Sequence, residues 1–132
     1  MSVIFPNPQT LYDKVFREEA FAATAPKAFF QAWQRGAALA GPQWFGDGTS
    51  LGLAQARAVP ALAPNLSKIR DDFERMTERT RIFLALMVSF HDLDAGRGLL
   101  DRCALHGLHA FLLLNLDERQ VIATLLLTYT DA

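Results

Sequence analysis

The chain has 132 residues, a formal net charge of −1, 51% apolar residues and 20% charged residues. These proportions exclude disorder as the default state, and the length fits one domain with a single core. Because thirteen basic side chains are balanced by fourteen acidic ones, no excess of positive charge favours a polyanion such as nucleic acid.

Cysteine content and the length of the apolar runs bear on the cellular compartment. Cys103 is the only cysteine, so an internal disulfide is excluded. The first ten residues lack the positive region and apolar run of a secretory signal. The apolar run at residues 82–90 is about half of the roughly 20 residues needed to cross a bilayer. We therefore expect a cytoplasmic protein without a membrane segment. Separately, the excess of arginine over lysine is typical of a GC-rich bacterial genome.

The N-terminal forty residues predict two helices. Asn7 is a suitable cap, and apolar residues spaced three and four apart predict a helix from about residue 8 to 22. Thr24 and Pro26 repeat the same pattern of cap and first-turn proline, so they predict a second helix. This helix should end where an irregular connection, residues 41–67, begins.

Residues 41–67 are rich in glycine and proline, which predicts an irregular connection with at most one short helix, near residues 51–58. Trp44 and Phe45 lie between glycines of this connection. Large apolar residues in such a position either anchor the loop in the core, which is the commoner outcome, or contact a partner protein. We therefore treat both as candidate partner-binding residues.

Residues 67–92 follow a heptad-like apolar spacing, which predicts one amphipathic helix of about 25 residues at the centre of the fold. The positions of the spacing are Ile69, Phe73, Met76, Thr80, Phe83, Met87 and Phe90. Charges of alternating sign flank the first three, as on a solvent-exposed face. We therefore predict that Ile69, Phe73 and Met76 form a partner-binding seam for a second copy in a homodimer, with coverage by the N-terminal helices as the alternative.

The C-terminal third predicts a turn and two further helices. The segment "DAGRG", residues 94–98, predicts a tight turn in which Asp94 caps the returning helix. Asn115 and Glu118 have the spacing of a capping box, which predicts a last helix over residues 116–129. β-Branched residues in the same region leave a β-hairpin as the alternative.

One cluster of residues suggests a metal site. Cys103, His106 and His109 are three residues apart in turn, so on a continuous helix they can offer ligands to zinc or another transition metal. The alternative is that they belong to a partly buried helix face with ordinary partners. No other cofactor is predicted.

The predicted elements indicate an all-α fold: a single helical domain over residues 1–132, with five or six helices around the long central one. An α+β fold with a C-terminal hairpin is the alternative. The predicted core residues are Trp33, Phe73, Phe83, Met87, Phe90, Leu100, Phe111, Leu112 and Leu126.

The chain has no recognisable nucleophile motif or phosphate-binding loop. We therefore predict a non-enzymatic interaction or regulatory protein that acts through a helical surface and binds a second copy or another protein. One alternative is a ligand- or metal-binding domain that uses residues 91–109. The other is a DNA-binding helical regulator, which is less favoured because acidic residues are interleaved with the arginines of residues 70–81.

Overall fold

A computed structural model of the chain describes residues 8–130, and these residues form an all-α fold. The helices are α1 (Pro8–Ala40), α2 (Ser50–Gln55), α3 (Leu66–Asp72), α4 (Glu78–His91), α5 (Leu93–Asp101), α6 (Leu108–Leu113) and α7 (Leu116–Thr128). Short 3₁₀ turns lie at Pro42–Trp44, Val59–Leu62 and Phe73–Arg75. Because the described residues contain no strand, the all-α prediction is confirmed and the hairpin alternative is wrong.

α1 is the longest helix, and it replaces the two helices predicted for this region. The predicted break near Thr24 and Pro26 is wrong, because the helix continues through both residues. Pro26 cannot donate to the carbonyl of Ala22, but both residues are exposed, so solvent can hydrate that carbonyl. The Thr24 hydroxyl donates to the carbonyl of Ala20 at 2.9 Å instead of capping a new helix. The predicted cap Asn7 lies outside the described residues.

The single helix predicted for residues 67–92 is wrong. The chain forms α3 and a 3₁₀ turn, leaves the helical conformation at Met76 with a ψ of 154°, and re-enters it in α4. Thr77 makes the new start possible, because its hydroxyl accepts a hydrogen bond from the amide of Thr80 at 3.2 Å. The central helix of the prediction is therefore two shorter helices.

Arg81, in the first turns of α4, stabilises the end of the segment that precedes the break. Its guanidinium donates to the carbonyls of Phe73 at 2.8 Å and Glu74 at 2.6 Å. Carbonyls at a helix end have no partner within the helix, so these hydrogen bonds offset the cost of ending it. Arg119 does the same at the end of α6, where it donates to the carbonyls of Leu112 and Leu114, each at 2.8 Å.

The turn predicted at residues 94–98 is also wrong, because these residues lie inside α5. The chain reverses at Asp92, which ends α4 and caps α5 by accepting a hydrogen bond from a first-turn amide at 3.0 Å. Asp94 is therefore not the cap. Gly96 is buried where α5 crosses α4, and a Cβ atom there would lie 2.5 Å from the Cα of Ser89. The glycine is needed for the close approach of two helices.

The start of α7 agrees with the sequence prediction. The side chain of Asn115 accepts a hydrogen bond from the amide of Glu118 at 2.8 Å, and the carboxylate of Glu118 accepts one from the amide of Asn115 at 2.9 Å. This reciprocal pair is a capping box. Glu118 is buried, and the guanidinium of Arg79 lies 3.4 Å from its carboxylate. The predicted last helix is confirmed.

The core lies where α1 and α7 meet α4 and the connection after α1. Trp33 is fully buried at its centre, stacks against Phe29 at 6.2 Å between ring centroids, and meets Phe45 edge-on at 5.8 Å. Of the predicted core residues, the buried ones are Trp33, Phe73, Phe83 and Met87, and the half-buried ones are Phe90 and Leu100. The prediction is wrong for Phe111, Leu112 and Leu126, which are exposed.

α1 extends beyond the body of the protein. It runs antiparallel to α7: Arg35 lies 2.8 Å from Asp117 near the start of α7, and Phe29 contacts Tyr129 just beyond its end. Because α7 ends there, no helix of the described residues lies beside the earlier part of α1. Residues 9–24 of α1 are all exposed, and Ala25 is buried. We call residues 8–24 the arm; its 17 residues span about 25 Å.

Candidate functional site

An open apolar groove of about 480 Å³ lies between the end of α4, the start of α5, α6 and α7. We call it the C-terminal groove. Its apolar lining residues are Leu86, Phe90, Leu93, Phe111, Ile122, Leu126 and Tyr129. Ser89 and His91 complete the lining, so the groove presents mainly hydrocarbon and aromatic surface.

The reversal at Asp92 creates one side of the groove. α4 ends at His91, and the cap at Asp92 starts α5 directly, so Leu93 projects at the rim and is 75% exposed. Ile122 of α7 is buried in the groove. At the end nearest α1, the rings of Phe90 and Tyr129 lie 6.1 Å apart, and each lies within 6.2 Å of the ring of Phe29. This aromatic cluster joins the groove to α1.

Consecutive leucines explain why apolar side chains remain in water. Three successive residues of a helix cover about 200° of its circumference, so they cannot all face one core. Leu125 is fully buried, whereas Leu126 and Leu127 are 70% and 73% exposed. The run of leucines at residues 125–127 was the sequence signal that could have revealed this exposed surface.

The two polar residues of the groove, Ser89 and His91, both belong to α4. The Ser89 hydroxyl donates to the carbonyl of Ala85 at 2.7 Å, within its own helix. A serine nucleophile needs its proton directed to a general base, and this proton is directed to a backbone carbonyl. His91 is exposed in the last turn of α4, where a histidine complements the helix dipole. The groove is therefore suited to binding apolar groups.

Cys103, His106 and His109 do not lie on one continuous helix. α5 ends at Asp101, Cys103 and His106 lie in the connection that follows, and His109 lies in α6. Within residues 8–130, no three His, Cys, Asp or Glu side chains are grouped so that they can hold a metal ion. The prediction of a continuous helix, on which the metal-site hypothesis depended, is therefore wrong. The transition metal stays a sequence-based prediction.

Cys103 is a buried thiol. Its sulfur donates to the carbonyl of Leu99 at 3.5 Å. Burial, together with a smaller contribution from the nearby carboxylate of Glu78, raises the pKa of this thiol to about 11. Since the thiolate is the form that attacks electrophiles and binds metals, a thiol that stays protonated at neutral pH is poor at both.

We expect Cys103 to be alkylated slowly by iodoacetamide at about pH 8 and rapidly in concentrated urea, because folding both buries the thiol and keeps it protonated. Mass spectrometry of the intact chain measures both rates, since this is the only cysteine. The unfolded chain loses the thiol proton near pH 9 and the folded one near 11, so stability should fall as pH rises through that window. Rapid alkylation without urea would contradict the burial.

Ile69, Phe73 and Met76 do not form an exposed seam. Ile69 and Phe73 are fully buried in the core of the same chain, and Met76 is half-buried. The guanidinium of Arg102 lies 4.8 Å from the centre of the Phe73 ring, and that of Arg81 lies 5.9 Å from it. The chain covers this seam itself, so the exposed face on which the predicted partner-binding role depended is absent, and the role stays a sequence-based prediction.

Trp44 and Phe45 anchor the connection after α1. Both are buried, and Phe45 packs edge-on against Trp33. The ammonium of Lys68 lies 5.6 Å from the centre of the Trp44 ring. Both residues therefore anchor the loop in the core, which was the commoner of the two predicted outcomes, and their partner-binding role stays a sequence-based prediction.

Three of the four arginines of residues 70–81 take part in ion pairs. The pairs are Arg75 with Asp72 at 3.7 Å, Arg79 with Glu118 at 3.4 Å, and Arg81 with Glu78 at 3.4 Å. Glu74 also accepts a hydrogen bond from Arg102 at 2.9 Å, and this bond lowers the pKa of the Glu74 carboxyl. Such pairing leaves this segment near electrical neutrality, unlike a surface that tracks phosphates.

No protein-family model, curated protein or solved structure matches the chain. Among the described residues, 8–130, no helix has both the length and the apolar character needed to cross a membrane.

Proposed function

We propose that this chain is a non-enzymatic interaction protein of the cytoplasm, and that its C-terminal groove binds an amphipathic α-helix of a partner protein. The observation that carries the proposal is the apolar lining of the groove, much of which the chain leaves exposed. Contiguous apolar surface that a protein leaves in water is typical of binding sites.

The shape and chemistry of the groove favour a helix as the bound element. Amphipathic helices bind in apolar grooves through residues spaced three and four apart, which insert between the walls. Phe90, Phe111 and Tyr129 supply aromatic surface of the kind enriched at the energetic centre of interfaces. Leu93 and Leu126 extend the apolar rim into solvent, where a helix lying across the groove would cover them.

A small apolar ligand is the second candidate. The groove volume of about 480 Å³ falls within the roughly 300–1,000 Å³ of small-molecule sites. A ligand of that size would leave the rim residues Leu93 and Leu126 in water, so a helix removes more apolar surface from solvent. The helix is therefore the stronger candidate.

A peptide titration with a matched pair of variants tests the proposal. The probe is a fluorescent synthetic helix of about 18 residues with leucine at every third or fourth position, and binding is followed by anisotropy. Leu126→Glu should weaken binding at least about tenfold, because it puts a carboxylate in the groove. Leu127→Glu is the control, since Leu127 is equally exposed on the same helix but does not line the groove. Equal effects of the two substitutions would refute the groove as the binding site.

A further inference from the structure

The arm carries an apolar stripe with no partner in the described residues of its own chain. The stripe consists of Leu11, Tyr12, Val15 and Phe16, which are 46–66% exposed. The rings of Tyr12 and Phe16 stack at 6.5 Å between centroids. Asp13, Lys14 and Arg17 lie on the opposite side of the helix, so the arm is amphipathic.

The arm matches the ligand proposed for the groove, and we infer that a second copy of this chain supplies it. In this arrangement the arm of each copy lies in the C-terminal groove of the other, and the two contacts are related by a two-fold axis. The inference deepens the proposed function and rests on it, because it names the helix that the groove binds.

The position of the groove fits such an exchange. The groove begins at the cluster of Phe29, Phe90 and Tyr129, where the arm leaves the body. Val15 precedes Phe29 by fourteen residues, which is two heptads, so the stripe continues the helix face that packs on the body. Two α1 helices that cross antiparallel at their arms therefore bring each stripe to the groove of the partner copy.

The area available is sufficient for a stable dimer. An aromatic side chain removes about 150–250 Å² from water when fully buried, and the stripe residues are about half exposed. Each arm can therefore bury on the order of 500 Å², and the exposed groove residues Leu93, Phe111, Leu126 and Tyr129 can bury a comparable area. Two such contacts remove about 2,000 Å² in total, at the upper end of the standard interface size.

The charges of the arm disfavour the other surfaces that an amphipathic helix can bind. The arm carries Lys14 and Arg17 against Asp13, Glu18 and Glu19, so its net charge is −1. Helices that lie on anionic lipid are rich in lysine and arginine on their polar face. A protein groove with an apolar lining is the better match.

Light scattering coupled to gel filtration of the full chain at tens of micromolar tests the inference. The wild type should elute with the mass of a dimer, and Phe16→Glu should elute as a monomer. Phe21→Glu is the matched control: it is also an exposed phenylalanine of the arm, but it lies about 140° further around the helix. A monomeric wild type, or a dimer that tolerates Phe16→Glu, would overturn the inference.

Mixing two variants tests whether the arm binds the groove. Phe16→Glu copies keep an intact groove, and Leu126→Glu copies keep an intact arm, so each variant alone has no complete contact. A mixture should form a heterodimer with one complete contact, which native mass spectrometry detects by mass. Absence of the heterodimer, with each variant folded by circular dichroism, would overturn the arm-in-groove arrangement.

The synthetic helix used above separates the inference from the proposed function. It should bind Phe16→Glu at least about tenfold more tightly than wild type, because the arm no longer competes for the groove. A monomeric wild type that binds this peptide would overturn the inference and leave the proposed function standing. Failure of the peptide to bind the folded Phe16→Glu variant would overturn both.

Discussion

Replacing Trp33 by alanine should lower the free energy of unfolding by about 3–5 kcal/mol, the range for deleting a large core side chain. Trp33 is fully buried, contacts Phe29 and Phe45, and its indole N–H donates to the carbonyl of Leu62 at 2.9 Å. The truncation therefore removes packing between α1 and the connection that follows it, and leaves a buried carbonyl without its donor. Urea unfolding followed by circular dichroism measures the change.

Trp33→Phe separates the two contributions. Phenylalanine keeps most of the packing volume but cannot donate to Leu62, so we expect a loss of about 1–3 kcal/mol, the cost of leaving a buried polar group unsatisfied. Alanine should therefore be the more damaging of the two. A loss below about 1 kcal/mol for alanine would show that α1 is not packed on the body as described.

Replacing Gly96 by alanine should destabilise the protein by about 1–3 kcal/mol, and valine should cost more, because both overfill the contact between α5 and α4. A Cβ atom at Gly96 would lie 2.5 Å from the Cα and 2.6 Å from the amide nitrogen of Ser89. These are backbone atoms, so relief requires the two helices to separate. Thermal or urea unfolding of the variants measures the cost.

Gly98 provides the control within the same helix. A Cβ atom there would meet no other atom within 4 Å, and alanine has a helix propensity about 1 kcal/mol better than glycine. Gly98→Ala should therefore leave stability unchanged or raise it. Equal changes in stability for Gly96→Ala and Gly98→Ala would contradict the close contact between α4 and α5.

Helix ends were predictable where their signals are local. The capping box at Asn115 and Glu118 acts through hydrogen bonds within the first turn of α7. Gly41, directly after α1, acts through its own backbone angles. These signals gave the start of α7 and the end of α1 correctly. Thr77 and Asp92 are equally good caps. The heptad spacing across Thr77 predicted one continuous helix instead, and the two glycines after Asp92 predicted a turn at residues 94–98.

The break at Thr77 depends on a contact that spacing does not report. Arg81 satisfies the carbonyls of Phe73 and Glu74 at the end of the first segment, and Thr77 caps the second. The apolar spacing continues across the break, because both segments bury their apolar positions in the same core. Periodicity alone therefore predicted one helix.

The sequence by itself favoured an all-α fold and left only a C-terminal hairpin as the alternative, since helical periodicity and caps are local properties of the chain. Only the tertiary structure decided which apolar faces are covered. Ile69 and Phe73 are buried, whereas Leu126 and the stripe on the arm remain exposed. The physical reason is that burial depends on which helix lies alongside: α7 ends beside Phe29, so the apolar surfaces of the earlier turns of α1 and of the C-terminal groove stay exposed in this chain.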